Sequence, residues 1–164
     1  MAIPTTLERL GYGGSDGCIA VGQHRNVILA TEGLTRTLLA KESGSLVVFD
    51  SASATTFTLP APAVGLTFDF GVAITGTGTW TIITNSASVF MTGGVQIGSL
   101  ALAESADAFT ANGSTHVKIV MDADTKGRIK GGGVVRMVGI SSTVWHVSGW
   151  LVGAGTLADP FATA

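Results

Sequence analysis

Leu66-Thr67-Phe68-Asp69-Phe70-Gly71-Val72-Ala73-Ile74 is the stretch that decides the fold class. Leu66, Phe68, Phe70, Val72 and Ile74 take every second position, and successive side chains of an extended chain point to opposite faces. Five large apolar groups therefore share one face, with Thr67, Asp69, Gly71 and Ala73 on the other. A helix of 3.6 residues per turn would scatter the same residues around its circumference. The segment reads as a half-buried strand.

Working outward, Thr55-Thr56-Phe57-Thr58-Leu59, Thr79-Trp80-Thr81-Ile82-Ile83-Thr84, Thr115-His116-Val117-Lys118-Ile119-Val120-Met121, Val134-Val135-Arg136-Met137-Val138 and Thr143-Val144-Trp145-His146-Val147 repeat the pattern. All are rich in the β-branched and aromatic residues that fit a pleated surface. Shorter strand candidates are residues 25–31, 46–50, 88–91 and 99–103. Gly76-Thr77-Gly78, Thr92-Gly93-Gly94, Asn112-Gly113-Ser114 and Gly131-Gly132-Gly133 lie between runs and read as turns. Pro60-Ala61-Pro62-Ala63-Val64-Gly65 reads as a loop, because proline cannot donate to a ladder. No amphipathic helix longer than about two turns and no repeat of fixed period is evident. The expected fold is all-β: an antiparallel β-sandwich or jelly-roll-like domain, spanning residues 36–157. Residues 1–35 read as an extended N-terminal arm or lead-in, and residues 158–164 as a C-terminal tail anchored only by Phe161.

The 164 residues suit one core rather than two ordinary domains. Apolar residues make up 46% and charged residues only 12%, against roughly 25% in a typical soluble protein, so Ser, Thr, Gly and Ala must cover much of the surface. A net charge of −2, with nine Lys and Arg dispersed along the chain, provides no basic stripe for phosphates and argues against nucleic acid as a partner. The mean hydropathy of +0.48 is spread over short segments, none approaching the ~18 apolar residues of a spanning helix, so no membrane partner is expected. The first residues lack the features of a secretory signal, and synthesis in the cytoplasm is the expectation. Cys18 is the single cysteine and reads as a small buried apolar residue within Cys18-Ile19-Ala20-Val21.

Residues that could carry chemistry do not assemble into a site. Lys41, Lys118, Lys126 and Lys130 lack the glycines and the following Ser or Thr of a phosphate loop. Gly11-Tyr12-Gly13-Gly14-Ser15-Asp16-Gly17 has neither the spacing nor the strand-to-helix setting of a dinucleotide loop or of a serine nucleophile elbow. His24, His116 and His146 are far apart, none with a second ligand at metal spacing, and Asp122-Ala123-Asp124 lacks the further oxygens of a calcium loop. Paired carboxylates of the glycosidase kind are brought together by folding, and nothing in the sequence points to them. No catalytic, cofactor-binding or metal-ligating residue is therefore assigned. Trp80 and Trp145 share the apolar phase of their strands and read as core. Trp150 is undetermined between core and a sugar-stacking platform.

Two stretches carry a family likeness. Arg36-Thr37-Leu38-Leu39-Ala40-Lys41-Glu42-Ser43-Gly44-Ser45-Leu46-Val47-Val48-Phe49-Asp50, continuing through Thr56-Phe57-Thr58-Leu59-Pro60-Ala61-Pro62 to Gly65-Leu66-Thr67-Phe68-Asp69-Phe70, resembles a module of tailed-bacteriophage structural proteins. In that module a Glu-Ser-Gly turn, a strand, a Thr-Leu-Pro-Ala segment and a second strand follow one another. Val135-Arg136-Met137-Val138-Gly139-Ile140-Ser141-Ser142-Thr143-Val144-Trp145-His146-Val147-Ser148-Gly149 resembles its closing hairpin. With the tail, the likeness spans residues 35–161.

What the resemblance implies is a non-enzymatic head decoration (cement) protein on the outer capsid surface of the virion. Its partners would be the major capsid protein and itself, as a homo-trimer or homo-dimer, and the arm would clamp adjacent subunits. The alternative is a tail fibre or spike, or a host-glycan-binding module. The length of a single module is what a decoration subunit is expected to have.

Overall fold

The computed structural model describes residues 25–100, 106–131 and 133–164. The readings of Ser15, Cys18 and His24, and those of residues 1–24, 101–105 and 132 generally, lie outside the described residues. Among the described residues the chain forms twelve strands: β1 (Val27–Leu29), β2 (Thr35–Thr37), β3 (Leu46–Phe49), β4 (Thr55–Thr58), β5 (Thr67–Val72), β6 (Trp80–Ile83), β7 (Phe90–Ser99), β8 (Asp107–Asn112), β9 (Lys118–Met121), β10 (Val134–Gly139), β11 (Val144–Gly153) and β12 (Phe161–Ala162). Among these residues the only helical elements are three single 3₁₀ turns. The protein is all-β, as the period-two pattern requires.

The strands form two sheets, one of seven in the order β1-β3-β5-β10-β11-β7-β8 and one of five in the order β12-β9-β6-β4-β2. The sheets are mixed rather than antiparallel throughout. From β1 to β6 the chain alternates between sheets at every strand, and each strand pairs in parallel with the strand two before it. This is a short two-sheet solenoid. Its coils are unequal: Val27 pairs with Leu46 and Leu46 with Asp69, offsets of 19 and 23 residues, while Thr35 pairs with Thr56 and Thr56 with Thr81, offsets of 21 and 25. Antiparallel ladders then extend both sheets, β10 joining β5 and β9 joining β6. The parallel pair of β7 and β11 completes the larger one.

The core lies between the sheets. Phe49 stacks on Trp80 with ring centroids 4.9 Å apart and meets Phe57 edge-on at 5.3 Å. Phe68 leans on Trp145 at 6.1 Å. Both tryptophans are fully buried, as their strand phase predicts. Trp80 Nε1 donates to the carbonyls of Ser51 and Ser53, both at 3.1 Å, whereas Trp145 Nε1 has no partner among the described residues.

Two turns read from the sequence fall where expected. Asn112 Oδ1 accepts from the backbone N–H of Ser114, Thr115 and His116, with Gly113 in the left-handed region. Gly76 and Gly78 lie in the connection between β5 and β6. Thr92-Gly93-Gly94 is not a turn but the middle of the ten-residue β7. A Cβ on Gly93 would lie 2.2 Å from the Val147 carbonyl oxygen, and one on Gly94 2.5 Å from that of Phe109. These glycines allow β11 and β8 to approach from either side.

The fold also extends into both terminal segments. Residues 27–29 already pair with β3, a run too short to show alternation. Phe161 is buried and pairs with Ile119 of β9, so the C-terminal residues close the smaller sheet.

Candidate interaction surface

The two stretches that carry the phage-module likeness meet in space. β5 and β10 run antiparallel with Phe68 opposite Met137 and Asp69 opposite Arg136. The Glu-Ser-Gly turn is a junction with β5. Ser43 Oγ accepts from Thr67 N–H at 3.0 Å, and Gly44, at φ 86°, donates its N–H to the Thr67 carbonyl at 2.7 Å. Glu42 receives the Arg36 guanidinium at 2.5 Å and the Leu39 N–H at 2.8 Å. Arg36 occupies the core-facing phase of the edge strand β2, opposite Phe57, and this inward charge guards that edge against pairing.

At one end of the sheets the proline corner lies against the β10–β11 hairpin. Gly65 N–H donates to the Gly139 carbonyl at 2.9 Å, and Gly139 N–H to the Leu66 carbonyl at 2.8 Å. A Cβ on Gly139 would lie 2.2 Å from the Ala63 oxygen, so only glycine allows this contact. The resulting tip, residues 60–66 with 139–144, has no charged residue. Val64 is 80% exposed there and Ile140 49%, an apolar pair held by its backbone but not covered.

The outer face of the larger sheet carries two contrasting rows. The polar row centres on Asp69, which is only 4% exposed although it points away from the core. Arg136 Nε and Nη2 donate to its two oxygens at 2.7 and 3.0 Å, and Arg25 Nη2 donates at 2.7 Å. The hydrogen bond from Arg136 is the main influence lowering the Asp69 pKa below its ordinary value; desolvation opposes it and Arg25 reinforces it. Arg136 is raised in return by the same carboxylate.

The neighbouring row is apolar: Leu29, Val48, Gly71, Val134 and Trp150 are successive register partners. Trp150 is 47% exposed, so its position is settled as surface rather than core. Beside it on β7 sits Gln96.

The other residues weighed from the sequence are dispersed. His116 stacks on Phe161 with ring centroids 5.9 Å apart, whereas His146 is exposed on the outer face opposite Thr92 and Val138. Asp122 and Asp124 pair with Lys126 and Arg128. Asp50 accepts from Thr31 N–H and Oγ1. Among the described residues no group of three or more His, Cys, Asp or Glu could hold a metal ion.

What these residues offer is surface for contact: an uncharged apolar tip and a sheet face with an apolar row. No family model, curated protein or solved structure matches the chain.

Proposed function

We propose that the protein is a bacteriophage head decoration protein that binds the outer capsid surface through the tip formed by residues 60–66 and 139–144. The observation that supports this most is that the two stretches resembling the phage module, far apart in sequence, build one unit. Where they join, they present Val64 and Ile140 to solvent with no charge around them. A pair of exposed aliphatics on a glycine-braced corner suits a contact that forms by apolar burial against a preformed shell. Each added subunit then stabilises the assembled state by mass action.

Imaging of labelled protein on virions tests the location: label over the head lattice is expected, and label confined to the tail overturns the reading. The tip is tested by the Val64→Asp/Ile140→Asp double variant, which should keep its melting temperature and lose head occupancy.

A second reading, a tail-associated module that binds host glycans, is favoured by exposed Trp150 beside Gln96 on the outer sheet face. Glycan binding that Trp150→Ala abolishes would establish it in place of the first.

A further inference from the structure

We infer that Asn85, rather than the asparagine of the Asn-Gly pair, is the residue at which the folded protein loses a side-chain amide, and that the turn after β8 guards Asn112 from the same reaction. The only co-reactant is water. The backbone nitrogen of the following residue attacks the asparagine Cγ and gives up its proton. A C–N bond closes a five-membered imide, and the Cγ–Nδ2 bond breaks with release of ammonia. Water then opens the ring at either carbonyl, leaving aspartate or its isoaspartyl isomer, which carries one extra methylene in the backbone.

The side chain of the following residue crowds the attacking nitrogen and sets the speed in an unfolded chain. The sequence holds three asparagines, followed by Val27, Ser86 and Gly113. Glycine crowds the nitrogen least and β-branched valine most. The unfolded chain should therefore react first at Asn112, then at Asn85 and last at Asn26.

Folding reverses the first two. Asn112 Oδ1 accepts from the N–H groups of Ser114, Thr115 and His116 at 3.0, 2.9 and 3.2 Å, and Nδ2 donates to Thr115 Oγ1 at 2.6 Å. The nucleophile is occupied as well. Gly113, at φ 74°, donates its N–H to the Met91 carbonyl at 2.9 Å. Three donors on Oδ1 would stabilise negative charge developing there, but with the nitrogen tied to Met91 that help has nothing to act on. The end of the β7–β8 ladder must open first, and only the open fraction reacts.

Asn85 has no such hold. It is exposed in the connection between β6 and β7, residues 84–89. Among the described residues neither its side chain nor the Ser86 N–H makes a hydrogen bond. Ser86 is tied by other atoms: its carbonyl accepts from Thr84 Oγ1 at 2.9 Å and Val89 N–H at 3.1 Å, and its Oγ from Ser88 N–H at 3.2 Å. Both residues border an open cleft of about 310 Å³, which gives the amide room to turn and admits water to the imide.

The outcomes differ in consequence. An extra backbone methylene at Asn112 would enter the β8 ladder, where that residue stands opposite Thr92, whereas at Asn85 it enters a loop. The guard thus directs a slow, irreversible change to a place the sheets tolerate. This inference is independent of the proposed function, since neither asparagine belongs to the tip or to the Trp150 row.

Full-length protein held in mildly alkaline buffer, with and without urea, supplies the test. Peptide mass spectrometry reads the amide-to-acid mass gain at each asparagine and separates the isoaspartyl isomers. In urea Asn112 should convert fastest. In native buffer Asn112 should slow by at least about tenfold, while Asn85 stays within about threefold of its urea rate and becomes the faster of the two. Thr115→Ala, which removes the acceptor of Nδ2, should speed Asn112 in native buffer and leave its urea rate unchanged. The wild-type comparison stands whether or not that variant folds. Asn112 converting ahead of Asn85 in the native protein, or equally fast in native buffer and urea, would overturn the inference. So would a Thr115→Ala protein, folded by circular dichroism, that converts Asn112 no faster than the wild type.

Discussion

Replacing Asp69 by asparagine tests the polar row of the outer face most directly. The carboxylate accepts three hydrogen bonds, at 2.7 and 3.0 Å from Arg136 and at 2.7 Å from Arg25. Asparagine keeps one acceptor oxygen and turns an N–H₂ group toward a guanidinium, so at least one bond is lost and both cations lose their counter-charge. A hydrogen bond to a charged group contributes about 1.5–3 kcal/mol when shielded. Here the Arg136 and Arg25 side chains are 59% and 37% exposed, so water screens much of the charge interaction.

The whole substitution should then cost about 2–3 kcal/mol, a fall of roughly 5–10 °C in melting temperature for a domain of this size. Thermal melts followed by circular dichroism at neutral pH measure it. The pH dependence has a definite sign. The folded Asp69 titrates below the ordinary aspartate value, so its contribution is complete above about pH 3.9 and is lost as pH falls through the lower folded value. The gap between wild type and Asp69→Asn should therefore close in strong acid, where the protonated carboxyl resembles the amide. Equal melting temperatures at neutral pH, or a gap that does not narrow as the pH is lowered into strong acid, would refute the reasoning.

Trp80→Phe should destabilise more than Trp145→Phe by about 1–3 kcal/mol in urea titrations. The first leaves the Ser51 and Ser53 carbonyls without their donor, while the second removes an N–H that has no partner. Gly93→Ala, at φ +93° with its Cβ 2.2 Å from the Val147 oxygen, should cost at least about 2 kcal/mol, whereas Gly71→Ala should stay within about 0.5 kcal/mol of wild type. Ending the chain at residue 158 removes buried Phe161 and the carbonyls of Pro160 and Ala162 that accept from Val120 and Val117; it should cost about 2–3 kcal/mol or more, read from the melting temperature.

The strands of the solenoid were largely legible because alternation states which side chains face inward. Phe57, Phe68, Phe70, Trp80 and Ile82 are all buried as their phase requires, and so is Trp145 on β11. Alternation does not state which strand lies alongside, and so the parallel pairing from β1 to β6 was invisible. The usual signature of a solenoid is a fixed repeat. Here the successive offsets of 19 and 23 residues in one sheet, and 21 and 25 in the other, leave none to find. β7 was hidden for a different reason. Glycine reads as a turn in sequence, yet Gly93 and Gly94 are called for by the nearness of neighbouring backbones, which only the folded chain reveals.

The surface was less legible, because it is made by residues distant in sequence. Asp69 is recognisable as the polar member of an apolar strand, but nothing announces that cations 44 residues before it and 67 after it converge there. Trp150 could have been placed. Trp145 and Val147 set the inward phase of β11, and position 150 falls on the opposite one. The motifs on which the resemblance was read are accounted for almost entirely by folding: Glu42, Ser43 and Gly44 tie β2 and β5 together, and Gly139 admits the proline corner. Val64 and Ile140 are different, since Val64 is mostly in water, Ile140 is about half exposed, and neither belongs to the buried core. A sequence that spends charge so sparingly, yet leaves two aliphatics at a braced tip, has a cost in solubility that contact with a partner would remove. The tip is therefore the place where substitutions should separate binding from stability.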